Sequence, residues 1–89
     1  MPNRGVPAAT VTFRMFAAAR AAAGVSEVHI APGPASQVVD ALTAGLPPRF
    51  AAVLASSSLL ADGVRLDQAS TAPIPGGTVV DVLPPFAGG

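Results

Sequence analysis

"GGTVVDVLPP", residues 76–85, reads as a last strand and its abrupt end. From Thr78 to Leu83 the side chains alternate as in a half-buried strand. Val80 and Val82 point one way; Val79, Asp81 and Leu83 point the other. Pro84 and Pro85 then stop the ladder, because proline has no N–H to donate to a neighbouring strand. "FAGG", residues 86–89, follows with very little side-chain volume.

At the other end of the chain "TVTFRMF", residues 10–16, alternates in the same way. Val11, Phe13 and Met15 share one face; Thr12, Arg14 and Phe16 share the other. "AAARAAAG", 17–24, is alanine-rich and ends in glycine, which fits a short helical turn or a wide loop. "VSEVHIA", 25–31, predicts a second strand with Val28 and Ile30 inward and Glu27 and His29 outward, closed by "PGP" at 32–34. A helix follows, with Ser36 as the expected N-cap, Asp40 near its first turn, and Val39, Leu42 and Leu46 at helical spacing. Gly45 and Pro47 end it. A second short helix can begin at Pro48 and bury Phe50, Val53 and Leu54. "LLADGVRL", 59–66, predicts a hairpin turning on Asp62-Gly63 in a type I′ turn, and "PIPGG", 73–77, predicts another turn.

This order, strand, strand, helix, short helix, hairpin, strand, defines an α+β domain with one main helix across one face of a mixed sheet. It is the order of the β-grasp fold of ubiquitin, in which the first and last strands run parallel at the sheet centre. That placement buries Val11, Phe13, Met15, Val80 and Val82 under the helix and leaves Arg14, Phe16, Asp81 and Leu83 on an open face. Arg14 and Asp81 are then within reach of each other, and Phe16, Leu83 and Phe86 gather near the edge where the chain leaves. Exposed apolar patches of this kind mark partner sites. The expected organisation is a flexible segment over 1–9, the β-grasp domain over 10–83 and an extended tail over 84–89.

Composition narrows the function. The chain has 89 residues, enough for one domain with a modest core. It is 51% hydrophobic, yet no run approaches a membrane span. Five acidic residues balance five arginines, which argues against nucleic acid and anionic membranes as partners. The polar start of the chain and Arg14 inside the first apolar run argue against a secretory signal, so a cytoplasmic location is expected. Cysteine is absent, which excludes disulfides and thiolate catalysis, and a single histidine argues against a metal site. Lysine is absent too. Codon bias accounts for that; so does a reactive C-terminus that gains from having no internal amine to attack it.

The tail has a chemistry of its own. Two prolines favour an extended path, and six residues reach at most about 20 Å. Ala87, Gly88 and Gly89 are narrow enough to thread a channel and set the Gly89 carboxylate in a partner's active site. A carboxylate is a poor electrophile until ATP adenylates it; a sulfur or nitrogen nucleophile then attacks the acyl carbon. By chance a Gly-Gly end occurs in roughly one chain in two hundred. The pair is informative here because it follows a proline-stiffened exit from a final strand.

The segments "FAAAR" (16–20), "LLADGVRL" (59–66), "GGTVVDVLPP" (76–85) and "FAGG" (86–89) together resemble the MoaD/ThiS family of ubiquitin-like sulfur carriers, over about residues 10–89. The aromatic-Ala-x-x-Arg segment and the double proline are most like the small subunit of molybdopterin synthase. The resemblance implies that a MoeB-type enzyme adenylates Gly89 at the expense of ATP and that a sulfurtransferase converts it to a thiocarboxylate. It implies docking on a MoaE-like large subunit, where the sulfur passes to cyclic pyranopterin monophosphate. The carrier is then a noncatalytic sulfur-donor subunit with no tightly bound cofactor. By position, Gly88 and Gly89 match the reactive end, Phe86 and Ala87 the tail, and Arg20 the motif arginine, with Leu83, Phe16, Arg14 and Asp81 as further partner contacts.

Other assignments stay open. A carrier for cysteine or thiamine synthesis fits the same tail, as does a ubiquitin-like modifier that forms isopeptide bonds. A binding module fits too, and for it the tail is dispensable. His29, Arg49 and Arg65 read as solvated surface residues, and Asp62-Gly63 as turn chemistry.

Overall fold

Every second residue of the first strand, β1 (Val11–Met15), is apolar, and Val11, Phe13 and Met15 are all buried while Arg14 is exposed. The structure, a computed structural model, describes residues 9–85. After β1 come helix α1 (Ala17–Ala23), β2 (Glu27–Ile30), β3 (Gly33–Pro34), α2 (Ala35–Ala44) and α3 (Arg49–Ala55). The chain ends with β4 (Ser58–Ala61), β5 (Val64–Leu66), β6 (Pro73–Ile74) and β7 (Val79–Leu83). Five strands form one mixed sheet in the order β2-β1-β7-β4-β5. β1 and β7 are parallel neighbours at its centre, with Phe13 beside Val80 and Arg14 beside Asp81. The remaining pairings are antiparallel. This is the β-grasp topology that the order of elements predicts.

The periodicities decide which face is covered. Val80 and Val82 of β7 are fully buried, and Leu59 of β4 is nearly so, on the same face as Phe13. The helices close over them. Val38, Val39 and Leu42 of α2, Phe50 and Leu54 of α3, and Ala19, Ala22 and Ala23 of α1 all join the strand residues in one core. Alanine suits α1 because that short helix packs closely on α3. Each large side chain in this core stabilises the fold by about 1.5–3 kcal/mol.

Two local expectations change. Ser36 is not the N-cap of α2; Pro34 holds that position in an extended conformation, and no side chain caps the helix. The first two N–H groups of α2 instead donate to backbone carbonyls, Ala35 to Ala72 and Ser36 to Ser70, each at 2.8 Å. A passing loop therefore does what a cap side chain would do. Asp40 is the sixth residue of α2, on its exposed side, and the first turn holds no acid. The turn-like stretches "PGP" and "PIPGG" also pair with each other: Gly33 and Pro34 of β3 run antiparallel to Ile74 and Pro73 of β6.

The hairpin behaves as its Asp-Gly pair predicts. Asp62 and Gly63 both have positive φ, +48° and +85°, the type I′ geometry that matches strand twist. Asp62 does more than turn. Its Oδ1 accepts the Val79 N–H at 2.9 Å and its own N–H donates to the Val79 carbonyl at 2.8 Å. The tip of the β4–β5 hairpin is thereby fastened to the start of β7. Gly76 has a different reason to be glycine: a Cβ there would sit 2.6 Å from the Ala9 carbonyl oxygen. This close passage lets Gly77 N–H reach the Thr10 carbonyl and Thr12 N–H reach that of Thr78, at 2.8 and 2.9 Å. The parallel β1–β7 ladder starts there.

Candidate functional site

The uncovered face of the sheet collects the outward residues of all five strands in register. One row crosses it as Glu27, Arg14, Asp81, Leu60 and Arg65, from β2 to β5. Arg14 sits between two acids and takes one of them in a fork. Its Nε donates to Asp81 Oδ1 at 2.6 Å and its Nη2 to Asp81 Oδ2 at 3.0 Å. The hydrogen bond and charge of Asp81, with a smaller contribution from Glu27, hold the Arg14 guanidinium above its ordinary range. Arg14 therefore stays charged at every working pH. In the next row His29 Nε2 lies 2.8 Å from Glu27 Oε2, and its Nδ1 lies 3.2 Å from the Thr12 hydroxyl. His29 is thus a surface strand residue whose polar atoms are met locally. These exposed contacts orient side chains more than they stabilise the domain.

The row toward the chain exit is apolar. β1 and β7 are parallel with Met15 beside Val82, so one further step places Phe16 beside Leu83. Phe16 is extended, with φ −122° and ψ 147°, and 39% exposed. The Arg14 guanidinium carbon lies over its ring, 5.9 Å from the centroid. Leu83 is half-buried and pairs with Ser58 of β4. Immediately after Phe16 the chain turns into α1 through Ala17, whose φ of +49° is in the left-handed region. An alanine there costs about 1 kcal/mol. Ala17→Gly is expected to stabilise the protein by about 0.5–1 kcal/mol, read as a higher urea midpoint at unchanged slope. A lower midpoint would show that Ala17 bears no strain.

The structure brings Arg14, Asp81, Phe16 and Leu83 together at one end of the open face. It does not bring Arg20 to them. Arg20 lies on α1 and borders a surface groove with Ala21, Gly24, Val25 and Glu27, the last of which also flanks Arg14 on the open face. Among the described residues its side chain makes no hydrogen bond or ion pair with the Arg14–Asp81 pair. Phe86, Ala87, Gly88 and Gly89 lie outside the described residues. Among the described residues no group of three or more metal-ligating side chains gathers, and no helix is long and apolar enough to cross a membrane. The structure adds Leu60, which lies between Asp81 and Arg65 and extends the apolar part of the face. The two adjacent leucines of "SLLA" do not show which faces outward; the position of Leu60 and its neighbours depend on pairing between distant segments.

Fold and face together define a ubiquitin-like β-grasp domain whose last strand, at the sheet centre, runs out at an apolar edge. Solved structures of this class share its backbone. SAMP1 of Haloferax volcanii superposes with a TM-score of 0.75 at 19% identity, over 90% of this chain and 99% of the other. The small archaeal modifier protein 1 of Methanosarcina acetivorans gives 0.73 at 24% identity, over 91% and 97%. A candidate molybdopterin converting factor subunit 1 of Pyrococcus furiosus gives 0.72 at 20% identity, over 89% and 100%. These likenesses are of fold. No family model matches the sequence, and no curated protein matches it.

Proposed function

We propose that this protein is a sulfur carrier that works through its final glycine. One observation carries the proposal: the central strand β7 ends at Leu83 on the apolar edge of the open face and continues into Pro84-Pro85 and the sequence Phe-Ala-Gly-Gly. A partner that covers this edge has the tail delivered to it. A MoeB-type enzyme adenylates the Gly89 carboxylate with ATP, a sulfurtransferase loads sulfur as a thiocarboxylate, and a MoaE-like large subunit receives the tail. In that assembly the sulfur passes to cyclic pyranopterin monophosphate, and Gly88 and Gly89 provide the reacting end. The carrier contributes no catalytic side chain, and its cytoplasmic setting is that of its ATP-dependent partners. Cysteine and thiamine synthesis use the same acyl chemistry and differ only in the acceptor.

A second role has support of its own. Two of the similar folds are named as protein modifiers, and a modifier needs the same activated glycine. The two roles separate experimentally. Incubation with ATP and the adenylating enzyme gives pyrophosphate exchange in both. Conjugates on a denaturing gel then mark a modifier; sulfur transfer without conjugates marks a carrier. The absence of exchange with wild-type protein would refute both.

The apolar edge is expected to form the contact surface. Phe16→Asp or Leu83→Asp should weaken binding to the large subunit at least about tenfold, since each buries a charge in an interface core. The fold should persist, because Phe16 is largely outside the core. Unchanged affinity in a calorimetric titration would remove this edge from the interface and leave the tail chemistry standing.

A further inference from the structure

An activated Gly89 end meets few nucleophiles on a second copy of this chain. The 89 residues contain five arginines, one histidine, no cysteine and no lysine. Amines and thiolates are the side chains that attack an activated acyl carbon most readily. Arginine does not replace them, because its guanidinium stays protonated and has only donors to offer. Arg14, Arg20, Arg49 and Arg65 are all exposed, so the surface carries positive charge without an amine. Arg14 needs its planar fork for Asp81. Among the described residues the side chains of Arg20, Arg49 and Arg65 make no hydrogen bond or ion pair, and a lysine would supply the same charge there.

The remaining basic side chain is His29, and both of its ring nitrogens are engaged. Nε2 is beside Glu27, and Nδ1 lies between the hydroxyls of Thr12, at 3.2 Å, and Thr10, at 3.3 Å. An acylated imidazole passes its acyl group to water, so no lasting product forms there. An aliphatic hydroxyl is a weak nucleophile unless a base takes its proton. Thr12, with the ring beside it, is the hydroxyl best placed for that, and its product would be an ester that hydroxylamine cuts. A lasting amide needs an amine.

We propose that this chain is a one-way acyl donor: its activated Gly89 end acylates amines of other molecules, and no side chain of a second copy takes it. The proposal rests on the carrier or modifier function above. In the step concerned, a neutral amine attacks the acyl carbon of the Gly89 adenylate. The N–C bond forms, the bond from that carbon to the phosphate oxygen breaks, AMP leaves with the electron pair, and the amine gives up a proton to water. As a modifier the chain therefore marks each target lysine with one copy, since a bound copy offers no side-chain amine to the next. As a carrier it keeps its activated end for sulfur even where copies are crowded.

The test gives back the missing amine. Wild type, Arg49→Lys and Arg65→Lys, each full length, are incubated with ATP and the MoeB-type adenylating enzyme of the same organism, without a sulfur donor. Arg49 opens α3 and Arg65 lies on the edge strand β5, so the two amines sample the helix layer and the sheet. A circular-dichroism melt confirms folding, and pyrophosphate exchange confirms activation. Self-conjugates, at twice the chain mass less one water, should be at least about tenfold more abundant in the lysine variants than in wild type. An N-acetylated peptide with one lysine should take a single copy of wild type and further copies of Arg49→Lys. Self-conjugates of wild type, as amide or ester, with exchange intact would overturn this proposal alone. So would lysine variants that form no more of them than wild type. A wild-type chain that supports no exchange would overturn the function and this proposal together.

Discussion

Adding one alanine after Gly89, or removing Gly89, is expected to abolish the proposed adenylation and sulfur loading while leaving thermal unfolding where it is in wild type. Both halves of this result follow from the architecture. Among the described residues the buried core runs from Val11 to Val82, so a change at the chain end removes none of these buried contacts. Chemistry is affected differently. One residue moves the acyl carbon by about 3.5 Å, and reacting atoms must lie within a fraction of that distance to react. Loss of alignment on this scale costs on the order of a hundredfold or more in rate. The measurement is pyrophosphate exchange alongside a circular-dichroism melt. A blocked tail that still exchanges would mean that the reacting group lies elsewhere.

Phe13→Ala has the opposite signature. Phe13 is fully buried at the sheet centre, beside Val80 of β7 and Val28 of β2, in the same core as the helices. Truncation leaves a cavity between two rigid layers and should cost about 3–5 kcal/mol. A domain of this size has only about 4–13 kcal/mol in all. Tm should therefore fall by roughly 15–30 °C, and activity should fail only as the protein unfolds. A variant that melts within about 5 °C of wild type would contradict the packing described here.

Which parts of this structure are legible in the sequence depends on range. Strand faces are local, and alternation in "VTFRM" and "VVDVL" assigns each side chain to its face. The Asp62-Gly63 turn is equally local, since few residue pairs accept two positive φ values in succession. The parallel pairing of β1 with β7 is not local; it came from matching the order of elements to a fold, and the Arg14–Asp81 pair became legible only with it. What stayed hidden rests on contacts between distant segments. Ser36 has the chemistry of a helix cap, but the helix begins one residue earlier, and a loop some 35 residues further on supplies carbonyls to the N–H groups of Ala35 and Ser36. Asp62 looks like a turn residue and is also a clamp on Val79. Arg65 looks solvated until register places it beside Leu60 and across from the occupied Arg14. Arg20 lies on α1, and its groove meets the open face at Glu27, a neighbourhood that the motif position alone does not give.

The proposed chemistry changes the mass of one molecule by one atom, and that exchange is where it stands or fails. Wild-type protein incubated with ATP, the adenylating enzyme and a sulfur donor should gain the mass difference between sulfur and oxygen. The C-terminal peptide ending at Gly89 should carry the whole gain, and omitting ATP should prevent it. An unchanged intact mass under conditions where the enzyme is active, or a sulfur found on any other peptide, would contradict the assignment of Gly89 as the sulfur-bearing end.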